Sequence, residues 1–209
     1  MAVLLLASVG RAAVIPIAPS EFTNSSSITF GGLPNNTQAN GLVVGGVTFV
    51  VTLNGATANG LVTVDGGPGM TNNINPPNLV STIAASQPTL TVILPGFSTQ
   101  FGYGFALLAE GTVANATMIE LFNGATSVGS LAYMATPDPS FPGGFAGIES
   151  TLPFDRAELT FSPTAISFAV DNFVFNSPGV AENGSTFEVL LVAVVLLVGL
   201  RRYWIVLPS

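Results

Sequence analysis

A carboxylate and an amide stand side by side at Asp171-Asn172, inside the apolar run Ser-Phe-Ala-Val-Asp-Asn-Phe-Val-Phe (167–175). A carboxylate between large apolar side chains needs a partner. One candidate is a cation. Hard cations take six to eight oxygens from carboxylates, amides and carbonyls, so Asp171, Asn172 and Glu21 form a candidate calcium site. Glu21 lies just before the first expected strand, and first and last strands often pair in jelly rolls. The alternative is that Asp171 bonds nearby backbone N–H groups or caps a bulge. A second candidate chemistry is sugar stacking. Most of the aromatics are Phe, 15 against 3 Tyr and 1 Trp. That leaves Tyr103 and Tyr133 as the amphipathic candidates for a sugar-binding surface. A third is glycoside hydrolysis, which needs two convergent carboxylates. Glu110, Glu120, Glu149, Asp155 and Glu158 supply carboxylates without a tight motif, and Asp155-Arg156-x-Glu158 reads as a surface ion pair of small value.

Other chemistries are excluded by composition. Lysine, histidine and cysteine do not occur in the 209 residues. Their absence removes the base that titrates near neutrality, Schiff-base chemistry, and thiolate sites and disulfides together. Charged residues are 7% of the chain and the formal net charge is −7. Between residues 14 and 178 the only cation is Arg156. Such a body cannot neutralise a phosphate backbone, so nucleic acid is not an expected partner. The expected role is non-catalytic, structural or adhesive, and the acidic balance suits neutral glycan or a divalent cation as partner; a calcium-supported carbohydrate-binding module is the alternative.

These residues have to be positioned by strands. Short apolar runs at 46–53, 61–64, 89–94, 104–109, 117–122, 127–134, 144–148, 158–161 and 166–175 are separated by Gly, Asn, Pro, Ser and Thr. Val47, Phe49, Val51 and Leu53 alternate with Thr48, Val50 and Thr52, the period of a half-buried strand. Asn54-Gly55, Asn59-Gly60, Asp65-Gly66 and Asn123-Gly124 are turn dipeptides. Residues 66–78 and 136–144 read as loops. Residues 20–178 are therefore expected to form one all-β domain, an antiparallel, jelly-roll-like β-sandwich. In the closing run, Ile166, Phe168 and Val170 hold even positions, and Phe173 and Phe175 hold odd ones. That change of phase requires a bulge at Asp171-Asn172 or a strand buried on both faces.

The two ends read differently. Residues 1–13 carry a short Ala/Leu-rich core followed by Gly10-Arg11-Ala12, the layout of a secretion signal whose start is shortened; the alternative is a buried first strand. Residues 187–200 form an apolar run before Arg201 and Arg202. As a helix this run spans about 21 Å at ~1.5 Å per residue, short of the ~30 Å of a hydrocarbon core. The arginines predict a cytoplasmic C-terminus, which places residues 14–178 outside the membrane.

This tail resembles the PEP-CTERM sorting signals, in the variant whose motif reads roughly Val-Pro-Asp-Ser-Gly-Ser-Thr. Val180, Glu182, Gly184, Ser185 and Thr186 fit that motif, and Arg201 and Arg202 fit its basic cluster. Ala181 departs from the proline and Glu188 interrupts the apolar start. The resemblance implies that 180–209 is a sorting signal with a short hydrophobic, transmembrane-like helix. It also implies an exosortase as partner, delivery to the cell surface with transient or permanent anchoring, and an envelope, biofilm or exopolysaccharide setting. A plain anchor helix is the alternative. The segments 144–150, 153–161 and 167–175 resemble the end of jelly-roll modules common in that family. Such folds are similar to carbohydrate-binding modules, some with a structural calcium.

Overall fold

The computed structural model describes residues 13–66, 73–83, 87–138 and 141–176. The secretion-signal reading of residues 1–12 and every sorting-tail residue from Val180 to Arg202 lie outside them. Among the described residues no helix is long and apolar enough to cross a membrane.

The alternation read in 47–53 is realised: Val47, Phe49 and Val51 are buried while Thr48, Val50 and Thr52 are partly exposed. Among the described residues twelve strands follow in chain order. They are β1 (Val14–Pro16), β2 (Ser25–Ile28), β3 (Val43–Val44), β4 (Val47–Leu53), β5 (Ala56–Thr57), β6 (Leu61–Val64), β7 (Asn78–Ser81), β8 (Thr89–Leu107), β9 (Val113–Asn123), β10 (Thr126–Pro137), β11 (Pro142–Phe161) and β12 (Phe168–Asn176). A 3-10 turn spans Pro19–Glu21. Every ladder is antiparallel. The expected all-β antiparallel class is the observed one.

Two strands are longer than their sequence suggested. The runs 89–94 and 104–109 were expected to be separate, as were 144–148 and 158–161. They are instead parts of β8 and β11. Pro95-Gly96 and Pro153 fall where the β8–β11 ladder skips residues, on either side of the pair Ser98↔Phe154. Proline and glycine are tolerated in strands at such bulges. There each strand bends from one layer into the other. The first layer joins β10, β9, the second half of β11, the first half of β8, and β4. The second joins β1, the first half of β11, the second half of β8, β12, β7 and β6. Thr136 and Pro137 likewise end β10 and pair with Gly143 and Pro142 at the start of β11, where an open loop was expected.

The core lies between the layers. Phe49 of the first layer meets Phe173 of the second, ring centroids 5.3 Å apart. Phe173 also meets Phe30, Phe101 and Tyr103. It reaches this position because β12 bulges: Asp171 lies opposite Gly104 but Val174 opposite Gly102, three steps against two. Asn172 takes the extra residue at φ 50°, a conformation Asn tolerates better than most residues. The phase change expected from the sequence is thus a bulge, and it turns Phe173 and Phe175 inward after Phe168 and Val170. Phe173→Ala empties the meeting point of four rings. We expect chemical denaturation to show a loss of about 3–5 kcal/mol.

Candidate functional site

Two places hold the polar side chains that the sequence singled out. The first lies beneath residues 73–75. This segment crosses the outer side of β8 and β12 and buries Ile74 against Ala106 and Ala169. It approaches so closely that a Cβ on Gly104 would land on the Asn73 carbonyl oxygen. Asp171 is covered by the same segment and has no exposure. Its Oδ2 accepts the Asn75 N–H at 3.0 Å, and among the described residues its Oδ1 has no hydrogen-bond partner. The amide of Asn172 donates to the Asn73 carbonyl. Burial pushes the Asp171 carboxyl up to about 6, and the N–H groups of Asn172 and Asn75 pull weakly against this.

The three candidate calcium ligands do not converge. Glu21 turns its Oε2 to the Ala18 N–H at the start of its own turn. Its carbonyl accepts from the amide of Gln100 at 3.4 Å, four residues along β8 from the Gly104 that faces Asp171. At ~3.3 Å per residue that is roughly 13 Å of strand. Glu21 also follows β1 rather than preceding the first strand. Among the described residues no group of three acidic side chains could hold a metal ion. Among the described residues the hydrogen bond on the Asp171 carboxyl comes from a backbone N–H, that of Asn75. The reading that fits is the alternative one, an aspartate that bonds backbone N–H beside a bulge.

The tyrosines are also placed differently from the sugar-platform reading. Tyr103 is fully buried, its ring stacked on Phe173 at 5.6 Å and its hydroxyl bonded to that of Thr117. Both ring faces are spent in the core, so Tyr103 offers nothing to a sugar. Thr117 passes the bond on to the Thr160 carbonyl, which satisfies a polar tip inside an apolar core. Tyr133 is half-buried and donates to the Gly147 carbonyl at 2.6 Å. Burial raises both phenols.

The second place was not legible as a site. On the outer side of the first layer, successive strands pair Phe122↔Arg156, Arg156↔Ile93 and Ile93↔Thr48. Paired residues point to the same face, so these four side chains form one row across the strands. A parallel row runs Ser130↔Glu120, Glu120↔Glu158, Glu158↔Thr91 and Thr91↔Val50. All are partly or fully exposed, whereas the row between them on the opposite face, Leu121, Ala157, Val92 and Phe49, is buried. The Arg156 guanidinium lies over the Phe122 ring, 4.4 Å from its centroid, and 3.6 Å from the Glu158 carboxylate. The ion pair expected of Asp155-Arg156-x-Glu158 therefore forms with Glu158. Asp155 instead accepts the Gly124 N–H in the β9–β10 turn. Glu120 accepts from Ser127 at 2.8 Å. The other two carboxylates lie elsewhere, Glu149 opposite Gln100 and Ile15 and Glu110 in the turn between β8 and β9.

No family model and no curated protein matches the sequence. Among solved structures, a family 29 carbohydrate-binding module variant complexed with cellulohexaose aligns at 11% identity, covering 74% of this chain and 92% of that one, with a TM-score of 0.40. A further family 29 module aligns at 16% identity over 62% and 88%, TM-score 0.33. The enzymatically active domain of bacteriophage CBA120 tailspike protein 4 aligns at 16% identity over 63% of this chain and 19% of its own length, TM-score 0.40. The likeness extends to antiparallel β architecture and no further.

Two outcomes follow from the Asp171 environment. Its folded pKa of about 6 lies above the ordinary 3.8, so the native state binds the extra proton. The stability this brings is full below about pH 4 and fades as pH rises through 6, by at most about 3 kcal/mol. Asp171→Asn should flatten that part of the stability profile, read from denaturant midpoints between pH 4 and 7. Millimolar calcium should leave the melting temperature unchanged at pH 7. A calcium-dependent rise that Asp171→Asn abolished would instead put a cation there.

Proposed function

We propose that this chain is an exported, non-catalytic β-sandwich displayed at the cell surface. In this reading residues 180–209 act as an exosortase-type sorting signal, and the domain holds extracellular polysaccharide in an envelope, biofilm or exopolysaccharide setting. The observation that carries it is the position of the two ends of the described domain. Ala13 and Thr151 exchange hydrogen bonds. At the other end, Asn176 Oδ1 accepts from the Ser98 hydroxyl and from the N–H groups of Thr99 and Gln100. Ser98 lies opposite Phe154 and Gln100 opposite Glu149, so entry and exit emerge at the same bend of β8 and β11. A domain whose ends leave together is tethered from one side and presents the rest of its surface outward.

The non-catalytic reading is supported by residue chemistry. Without His, Lys or Cys, a hydrolytic site needs paired carboxylates. The pair that does come together, Glu120 and Glu158, stands on an outward sheet face beside Arg156. The test is intact-mass analysis of the protein recovered from the surface of cells that make it. The expected mass lacks roughly the first dozen residues and everything after about 182–186. A mass retaining 187–209 in the membrane fraction would mean a permanent anchor and would overturn the sorting reading.

A further inference from the structure

The outward row Phe122–Arg156–Ile93–Thr48 has properties that the fold does not require. Arg156 is the only cation between residues 14 and 178, and its guanidinium sits over the Phe122 ring. Ile93 is 39% exposed although it stands at the middle of the row. Glu120 and Glu158 stand directly opposite one another, an arrangement of like charges that costs sheet stability. A surface chosen only for solubility would hold a free cation, a polar residue at 93, and opposite charges across the ladder.

We propose that this face is a binding platform for an uncharged, unbranched polysaccharide whose chain runs across the strands, along the row from Phe122 to Thr48. The proposal deepens the polysaccharide reading above and rests on it. Adjacent strands are spaced by about 4.8 Å, close to the length of one pyranose unit, so successive sugars would meet successive strands. Phe122 with Arg156 over its ring, and the exposed Ile93 beside them, offer apolar surface to the face of a pyranose ring. The neighbouring row of Glu120, Glu158 and Thr91 supplies acceptors for equatorial hydroxyls along one edge of the chain. Charge decides between polymers. The cation is already engaged by Phe122 and Glu158, and two carboxylates beside it repel an acidic polymer. An uncharged chain complements both. The outer side of the second layer cannot serve in the same way where residues 73–75 cover β8 and β12.

The experiment is affinity electrophoresis of the full chain in detergent, in gels containing hydroxyethylcellulose, glucomannan or alginate. Retardation by one or both neutral polymers, persisting in 0.5 M salt, is expected, with none by alginate. Phe122→Ala and Arg156→Ala should each weaken it at least tenfold, with circular dichroism and melting unchanged. Ile93→Asp, a charge in the middle of the row, should abolish it. Tyr133→Phe, off the row, should leave it intact. Retardation that survives Phe122→Ala and Ile93→Asp would leave polysaccharide binding standing and overturn this face as its site. Retardation by alginate alone would overturn the neutral-polymer assignment, and retardation by none of the three would overturn the polysaccharide reading itself.

Discussion

The structure turns on a strand that has to be buried twice. The first half of β12 has the sandwich core on one side and residues 73–75 on the other, so Ala169 and Asp171 are as enclosed as Phe168 and Val170. Its second half must send Phe173 and Phe175 into the same core from the opposite phase. One residue, Asn172 at φ 50°, reconciles the two. Much else follows from that bulge. Gly104 has no side chain because the covering segment lies on it. Asp171 and Asn172 meet that segment's backbone, at Asn75 and Asn73. Phe173 is free to join four other rings.

The bent strands β8 and β11 give the two layers different outer surfaces. Each strand contributes one half to a covered layer and the other half to an open one. The exposed edges are managed as well. Residues 36–39 hydrogen-bond to β6 through Thr63 and Leu61, and the turn at 40–42 pairs with β4 through Phe49. Covering edges in this way blocks strand addition by other chains.

How much of this was legible depended on sequence distance. Local signals read correctly: the alternation of Val47, Phe49 and Val51, the turn at Asn54-Gly55 with both residues at positive φ, and the phase change at Asp171-Asn172. Signals of interruption read poorly. Pro95-Gly96 and Pro153 look like strand ends, yet they occupy skipped rungs of a ladder that continues. Tyr103 resembled a surface aromatic because nothing in the sequence places Thr117 beside its hydroxyl. Glu21 and Asp171 looked like partners because strand order, not register, was all that could be inferred. The Phe122–Arg156–Ile93–Thr48 row draws on four strands. Each residue sits at an ordinary outward position, and only the register brings them into line.

The shared exit at Asn176 has a mechanical meaning. A pull on the tail enters the fold at the last residue of β12, whose side chain is held by Ser98, Thr99 and Gln100 at the bend of β8. From there β8 runs without interruption into the open layer, where Ile93 stands at the centre of the outward row. Tension between a tether and anything held on that face therefore passes from β12 to β8 through hydrogen bonds and then runs along β8.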